Sequence, residues 1–272
     1  MQTVPVYILA GGRSSRFGSD KARALLAGRP LIAHVAEQAR PCASCITVVA
    51  DQVGKYDDLG LRTICDLDPG NGPVGGLQTA LHDCSAPGWL AVVPCDLAGL
   101  KTAWITSLLA RCADGPVAIA LKGDRWEPLL ALYHTSLRDR VDRRVAAGLL
   151  AMHNLLDDHN AIAVPLPSGW PAVCQVNTRD DLDKLSAMSA PELTVLLFGL
   201  LAQKAGTRQI RVRVPGGSTT CAELRQALAA AEPRLAPLLP VCRFAVNQAF
   251  VAEGRVLKNT DEIALIGMVS GG

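Results

Sequence analysis

The sequence predicts an α/β domain built on a mostly parallel sheet, followed by a smaller α+β domain. Two observations predict this: apolar runs alternate with helical stretches through the first part of the chain, and the pattern changes after Leu185. The length of 272 residues exceeds the common size of a single domain. With 49% hydrophobic and 19% charged residues, a disordered chain is excluded and a sizeable core is expected.

The predicted sheet begins at Val4–Leu9, an apolar and β-branched run that ends in glycines. Pro30 suits the first position of a helix that runs through Gln38, and the next predicted helix is Gly76–Cys84. Further buried strands are predicted at Ile46–Ala50, Trp89–Pro94, Val117–Leu121, Leu129–Tyr133 and Ile162–Val164. Strands separated by helices imply parallel pairing, and ligands of such sheets gather at the carboxyl ends of the strands.

The second part of the chain begins after Ser186–Pro191, a segment of small and polar residues that ends in proline. Such a segment predicts a linker between domains 1–187 and 192–272. Either Thr219 or Thr220 is expected to cap a helix that ends at Ala231, with Glu223 completing a capping box. Strands are predicted at Leu193–Leu197, Gln209–Val214, Phe244–Val246 and Glu262–Ile266. One helix and several strands in this length indicate a small α+β domain.

Composition excludes several classes of partner. Aromatic residues are only 4% and the net charge is +2, so neither nucleic acid nor an anionic membrane surface is an expected partner. The longest charge-free stretch, 160–178, contains three prolines and does not predict a membrane-spanning helix. The start lacks a basic signal-peptide region, and nine scattered cysteines, including the isolated Cys42-x-x-Cys45 pair, are typical of reduced thiols. A cytoplasmic protein is therefore expected.

The loop after the first predicted strand combines glycines with positive charge. Gly11 and Gly12 allow backbone N–H groups to approach phosphate oxygens, while Arg13, Arg16 and Lys21 add cations. The spacing matches neither the P-loop nor the dinucleotide fingerprint, which argues against those two classes. We interpret the loop as a phosphate-binding one; the alternative is an ordinary turn with solvated arginines.

Two aspartates stand where a sheet enzyme would place metal or nucleotide ligands. Asp96 ends the segment Val92–Asp96 directly after a buried strand, where a carboxylate can hold Mg²⁺ together with phosphate oxygens. Asp66 precedes the glycine- and proline-rich run Pro69–Leu77, which is expected to be flexible. For each aspartate the alternative is a helix or turn cap.

These motifs together resemble those of the molybdenum cofactor guanylyltransferase family. The matching segments are Leu9-Ala10-Gly11-Gly12, Arg16-Phe17-Gly18, Asp20-Lys21, Gly28-Arg29-Pro30-Leu31, Pro94-Cys95-Asp96 and Val176-Asn177-Thr178. The resemblance implies a Rossmann-like nucleotidyltransferase domain. It also implies that the terminal phosphate of molybdenum-molybdopterin attacks the α-phosphate of Mg·GTP, which transfers GMP and releases pyrophosphate.

The resemblance further implies roles for single residues. Leu9, Ala10, Gly11, Gly12, Lys21, Asp66 and Asp96 are implied to bind the nucleotide. Arg16 and Lys21 would stabilise charge on the phosphates during the reaction, and Asp96 would hold Mg²⁺. Asn177 either contacts the substrate or caps a helix at Arg179–Leu185.

The sequence leaves two alternatives to guanylyl transfer open. The Ala-Gly-Gly form of the loop and the Asp20-Lys21 pair favour guanine, but a cytidylyltransferase remains an alternative. Gly148-Leu149-Leu150 stands where the family has a glycine and an arginine pair. A non-catalytic, nucleotide-binding scaffold that tethers the second domain is therefore the competing hypothesis.

The second domain ends in Gly271-Gly272, which is thin enough to enter a narrow channel, although a frayed terminus is the plainer interpretation. Together with Val246-Asn247-Gln248 and Asp261–Ala264, this ending resembles the molybdopterin synthase small subunit, a β-grasp (ubiquitin-like) sulfur carrier. The resemblance covers nearly all of 192–272, and the alternative is the related sulfur carrier of the thiamine pathway, which is usually shorter. It implies that an ATP-dependent enzyme adenylates and sulfurates Gly272, and that the synthase large subunit takes the sulfur for the dithiolene of molybdopterin.

Overall fold

A computed structural model describes residues 2–11, 17–112, 117–167, 170, 175–189, 192–214 and 219–267 of the chain. The chain separates into two compact units: Met1–Ala24 with Pro30–Asp181, and Leu25–Arg29 with Leu182–Gly272. These units are groups of residues that pack together, and they do not define domain boundaries. The domain boundaries 1–187 and 192–272 therefore stay a prediction. No helix within the described ranges is long and apolar enough to cross a membrane.

The strands and helices alternate along the first unit and are mixed in the second. The strands are β1 Val4–Leu9, β2 Leu25–Leu26, β3 Arg29–Pro30, β4 Ala43–Ala50, β5 Arg62–Cys65, β6 Trp89–Pro94, β7 Ala118–Lys122, β8 Trp126–His134, β9 Ile162–Pro165, β10 Glu192–Leu197, β11 Gln209–Arg213, β12 Thr219–Thr220, β13 Arg243–Val246, β14 Ala249–Phe250, β15 Val256–Leu257 and β16 Ile263–Ile266. The helices are α1 Leu31–Ala39, α2 Gly72–Asp83, α3 Thr102–Leu109, α4 Arg138–Ala146, α5 Met152–Asp158, α6 Arg179–Ser189, α7 Gly199–Ala205 and α8 Cys221–Ala231.

The described part of the first unit contains a seven-stranded sheet in the order β5-β4-β1-β6-β8-β7-β9. The pairs β4–β5, β1–β4, β1–β6 and β7–β9 are parallel, and β8 runs antiparallel to both of its neighbours. The predicted mostly parallel sheet is confirmed. Because β5, β4, β1 and β6 run in one direction, their carboxyl ends lie along one edge.

Both faces of this sheet are buried, which explains the continuous apolar runs of its central strands. Alternate residues of β1 enter different cores: Val6 and Ile8 pack in the core that contains α1 and α3, and Tyr7 packs in the core that contains α2 and α5. Every residue of β6 after Trp89 is buried. The sheet therefore holds its carboxyl-terminal edge on a rigid base.

The second unit has the β-grasp arrangement that its resemblance implies. Its described residues form a five-stranded sheet in the order β11-β10-β16-β13-β14, which combines the antiparallel pair β10–β11 with the parallel pair β10–β16. Helix α8 contributes Leu224 and Leu228 to one core with Val195, Phe244 and Leu265 from the sheet. Along β10 and β16, buried residues alternate with more exposed ones, as expected for a sheet that is covered on one face.

Two local predictions were wrong. Residues 186–189, predicted as part of a linker, continue α6, since serine, alanine and methionine are all tolerated in helices and the first helix breaker, Pro191, comes later. Helix α2 starts at Gly72 and not at Gly76, because Pro73 occupies the first helical turn, where its missing N–H has no cost. The latter part of the run Pro69–Leu77 is therefore helical and not flexible.

The capping box of α8 is confirmed and belongs to Thr220. The Thr220 hydroxyl accepts a hydrogen bond from the Glu223 amide at 3.3 Å, and the Glu223 carboxylate accepts one from the Thr220 amide at 2.7 Å. We expect Thr220→Ala to destabilise α8 by about 1 kcal/mol, since the Glu223 amide loses its acceptor. Hydrogen exchange of the α8 amides measures this loss. Thr220→Ser keeps the hydroxyl and serves as control; equal exchange in both variants would contradict the prediction.

Candidate active site

A cavity of about 400 Å³ lies at the carboxyl ends of the parallel strands of the first unit. It brings together residues that follow β1, β5 and β6 with residues from α2 and from the segment before α6. Its lining comprises Leu9, Ala10, Gly11, Phe17, Asp20, Lys21, Ala22, Val49, Asp66, Gly72, Pro73, Gly76, Pro94, Cys95, Asp96, Leu129 and Asn177. This is the edge at which sheets of this kind bind ligands.

The backbone around the cavity continues the sheet past the strand ends. The Ala10 amide donates to the Val49 carbonyl at 2.9 Å, and the Cys95 amide donates to the Leu9 carbonyl at 3.1 Å. Helix α2 approaches β1 closely, because a Cβ at Gly76 would lie 3.1 Å from both methyl carbons of Leu9. A side chain at this position would push the Leu9 methyl groups aside by a few tenths of an ångström.

Lys21 and Asp96 form a partly buried ion pair inside the cavity. Lys21 Nζ lies 2.5 Å from Asp96 Oδ2 and 3.5 Å from Asn177 Oδ1, and the Lys21 and Asp96 side chains are 19% and 13% exposed. The other carboxylate oxygen, Asp96 Oδ1, is buried and has no hydrogen-bond partner among the described residues. A buried anionic oxygen without a donor is costly, and it leaves an acceptor for a bound group.

Asn177 is held beside this pair by its own segment. The Val176 amide donates to the Asp96 carbonyl at 3.0 Å. At the start of α6 the Thr178 hydroxyl accepts from the Asp181 amide at 3.1 Å, while the Asp181 carboxylate accepts from the amides of Asn177 and Thr178. The hydroxyl of Thr178 therefore acts as the helix cap, and the side chain of Asn177 is directed to Lys21.

Asp66 is oriented by a buried hydroxyl that the sequence did not indicate. Thr79 Oγ1 lies 2.8 Å from Asp66 Oδ1 and 3.0 Å from the Gly75 carbonyl oxygen, and it accepts from the Leu67 amide at 2.9 Å. The Asp66 amide itself donates to the Ala50 carbonyl at 2.8 Å. The carboxylate is therefore fixed at the cavity wall by β4 and α2.

Cys95 lines the cavity but is not suited to act as a nucleophile. Burial, assisted by the nearby Asp96 carboxylate, raises the pKa of its thiol to about 12. The thiolate is the reactive form of cysteine, and it is scarcely populated at neutral pH with such a pKa. The chemistry of the cavity therefore rests on its charged and backbone groups.

Most of the candidate site residues that the sequence predicted line the cavity. Leu9, Ala10, Gly11, Lys21, Asp66, Asp96 and Asn177 all line it. Gly12, Arg16 and Gly272 lie outside the described residues. The roles assigned to all of these residues stay predictions. Among the described residues, no group of three or more histidine, cysteine or acidic side chains forms a metal cluster.

We expect Thr79→Val to lower the free energy of unfolding by about 1–2 kcal/mol, because the Leu67 amide and Asp66 Oδ1 both lose a partner. Urea unfolding followed by circular dichroism measures this difference. Thr79→Ser retains the hydroxyl and is the matched control. If the valine and serine variants unfold at the same urea concentration, the hydroxyl does not hold Asp66 as described.

Comparisons with known proteins agree with the two-part organisation. The family model described as MobA-like NTP transferase domain matches residues 6–164, and the ThiS family model matches residues 195–272. A relative from Deinococcus radiodurans, named "Probable molybdenum cofactor guanylyltransferase", is 45% identical over 150 residues, which cover 54% of this chain and 76% of the relative. The molybdenum cofactor guanylyltransferase of Serratia proteamaculans is 33% identical over 177 residues, which cover 64% of this chain and 89% of the relative.

A solved structure supports the same assignment. The crystal structure of molybdopterin-guanine dinucleotide biosynthesis protein A from Archaeoglobus fulgidus is similar to this chain with a TM-score of 0.57 and 27% sequence identity. The match covers 67% of this chain and 96% of that one. Since the first family model also spans more than half of its residues, this chain belongs to the MobA-like NTP transferase family, and it carries a ThiS-family segment at residues 195–272.

Proposed function

We propose that the first part of this chain transfers GMP from GTP to molybdenum-molybdopterin, and that the ThiS-family part carries sulfur as a thiocarboxylate for the synthesis of molybdopterin. The observation that carries the first half is the Lys21–Asp96 pair inside the cavity, with Asp96 Oδ1 buried and unpartnered among the described residues. The guanylyltransferase names of the relatives support the choice of reaction.

In the proposed reaction, an oxygen of the terminal phosphate of molybdopterin attacks the α-phosphorus of GTP. A new P–O bond forms, the bond between the α- and β-phosphates breaks, and pyrophosphate leaves with the electron pair. Such a transfer requires alignment and charge neutralisation more than a protein nucleophile. The positive charge of Lys21 Nζ partly neutralises the phosphates, and Gly11 and Gly12 allow backbone amides to approach the phosphate oxygens.

The fit of Mg²⁺ to this site follows from the donor set. Magnesium is commonly bound by one or two carboxylates that share it with substrate phosphates, and the unpartnered Asp96 Oδ1 offers one such ligand. Asp96 is therefore the residue that we propose to hold Mg²⁺. When bound, the ion supplies further neutralisation of phosphate charge.

Asp66 and Asn177 have proposed roles as substrate contacts. Asp66 keeps its orientation through Thr79, so its second oxygen, Oδ2, is available to accept from a nucleoside N–H or hydroxyl group. Asn177 Oδ1 lies 3.5 Å from Lys21 Nζ, and its amide group is proposed to bind substrate oxygens. Arg16, which lies outside the described residues, is proposed to add positive charge beside the phosphates, as Lys21 does.

The second half of the proposal rests on the ThiS-family match and the β-grasp arrangement of the second unit. An ATP-dependent enzyme would adenylate the carboxylate of Gly272, and a sulfur donor would then replace AMP to leave a thiocarboxylate. The proposed recipient of the sulfur is the molybdopterin synthase large subunit. Gly272 itself lies outside the described residues.

We expect Asp96→Ala to lower the rate of Mg-dependent GMP transfer by roughly 10²–10³-fold, because a charged contact to the reacting phosphates is lost. Transfer from GTP and CTP to molybdenum-molybdopterin, measured in parallel, gives both the rate and the choice of base. Asp158→Ala is the control, since Asp158 is an aspartate whose side chain is 55% exposed and pairs with Arg144. Transfer at the wild-type rate by Asp96→Ala would refute the assignment.

Deletion of Gly272 is expected to abolish sulfur loading, since the acceptor carboxylate would then belong to a different residue in the channel of the activating enzyme. The intact chain is incubated with the activating enzyme, ATP and a sulfur donor, and its mass is measured. The full chain should gain the mass of one sulfur in place of one oxygen. Equal labelling of the chain without Gly272 would show that the terminus is not the carrier.

A further inference from the structure

Asp20, the residue before Lys21, is held from several sides. Its Oδ1 accepts from the Ala22 amide at 3.1 Å and thereby caps the short 3₁₀ turn Lys21–Arg23. The hydroxyl of Tyr56 lies 3.1 Å from the same oxygen and 2.9 Å from Oδ2. Lys55 Nζ lies 3.4 Å from Oδ2. The turn that carries Lys21 therefore depends on the connection between β4 and β5.

Tyr56 is the deepest member of this group. Its side chain is fully buried, and its ring lies 5.2 Å from the Arg23 guanidinium and 5.6 Å from Lys55 Nζ. Burial, and the hydrogen bond to the Asp20 carboxylate, raise the pKa of the phenol. The hydroxyl is therefore protonated at neutral pH and acts as a fixed donor to Asp20.

A second connection joins the same turn to the same segment. The Arg23 guanidinium donates to both carboxylate oxygens of Asp58 at 2.8 and 2.9 Å, and to the Lys55 carbonyl at 2.6 Å. Bidentate pairs of this kind fix orientation as well as distance. Asp20 and Arg23 thus hold the turn on either side of Lys21, and the Lys21 side chain extends from it to Asp96.

We propose that Tyr56 is a positioning residue for Lys21: through Asp20 it holds the turn so that Lys21 Nζ reaches Asp96 and the phosphates of the nucleotide. This rests on the proposed transfer reaction. A lysine side chain is a flexible four-carbon stem, so the position of its ammonium group depends on where the backbone is held. A displacement of about 1 Å at such a group costs on the order of 10²-fold in rate.

The test compares two buried tyrosines, each of which donates to a carboxylate. Tyr56→Phe removes the hydroxyl that holds Asp20, and Tyr7→Phe removes one that lies 2.9 Å from Asp83 Oδ2. Tyr7 is buried on the opposite side of the sheet from α1 and does not line the cavity. The pair is therefore matched in residue, burial and type of contact.

With GTP as substrate, Tyr56→Phe should lower kcat about 10–100-fold and leave KM within about threefold, because Lys21 acts on charge that develops in the transition state. Tyr7→Phe should leave both near wild type. Equal kcat in the two variants would overturn the proposal. So would a fall in kcat for Tyr56→Phe accompanied by an equal rise in KM and a lower Tm than that of Tyr7→Phe, since this indicates a general loss of structure.

Asp20→Ala removes the carboxylate that accepts from both the Ala22 amide and Tyr56. Positioning predicts that this variant loses at least as much kcat as Tyr56→Phe. A kcat near wild type in Asp20→Ala would overturn the proposal.

Hydrogen exchange of the Ala22 amide tests the same proposal without the reaction. Its exchange should accelerate about tenfold in Tyr56→Phe and not in Tyr7→Phe, because the cap of the turn is loosened. If the wild-type chain transfers no GMP, the proposed function fails and this exchange alone decides the positioning role. Unchanged exchange in Tyr56→Phe would then overturn it.

Discussion

The contact between Lys21 and Asp96 joins two segments that are 75 residues apart, and the rest of the cavity is arranged around it. Lys21 follows β1 and Asp96 follows β6, so the contact exists only because these strands are parallel neighbours with adjacent carboxyl ends. The pair is mostly withdrawn from water. Partly buried ion pairs contribute little net stability, so the presence of this pair is weak evidence for a role in folding.

The fold places two acidic side chains of the cavity at one edge of the sheet. Strand β6 is buried along both faces, and the first acidic side chain after it, Asp96, comes where the sheet ends. Asp66 likewise comes directly after a strand, the partly buried β5, and its amide donates to the carbonyl of the last residue of β4. Carboxylates that follow the ends of neighbouring strands therefore come together at one edge of the sheet and outside its core.

This arrangement explains what was predictable from the sequence. Asp96 comes just after a predicted apolar strand, so the strand pattern placed it at this edge, whereas Lys21 was found through the glycine-rich loop and Asp66 through the family resemblance. Thr79 and Tyr56 were missed because they act through other residues: Tyr56 lies 36 positions from Asp20, and neither residue belongs to a recognisable motif. The end of α6 was missed for a different reason, since serine, alanine and methionine occur both in helices and in linkers.

Tyr56 and Thr79 share a physical property that suits a site for polyphosphates. Each hydroxyl orients a carboxylate at the cavity wall by donating a hydrogen bond, and neither adds a charge of its own. An arginine in place of Thr79 would neutralise Asp66 and compete with donors on a ligand, whereas a hydroxyl fixes one oxygen and leaves the other as an acceptor. Thr79 thus orients Asp66 without adding a positive charge, and among the described lining residues the cation is Lys21, beside the unpartnered oxygen of Asp96.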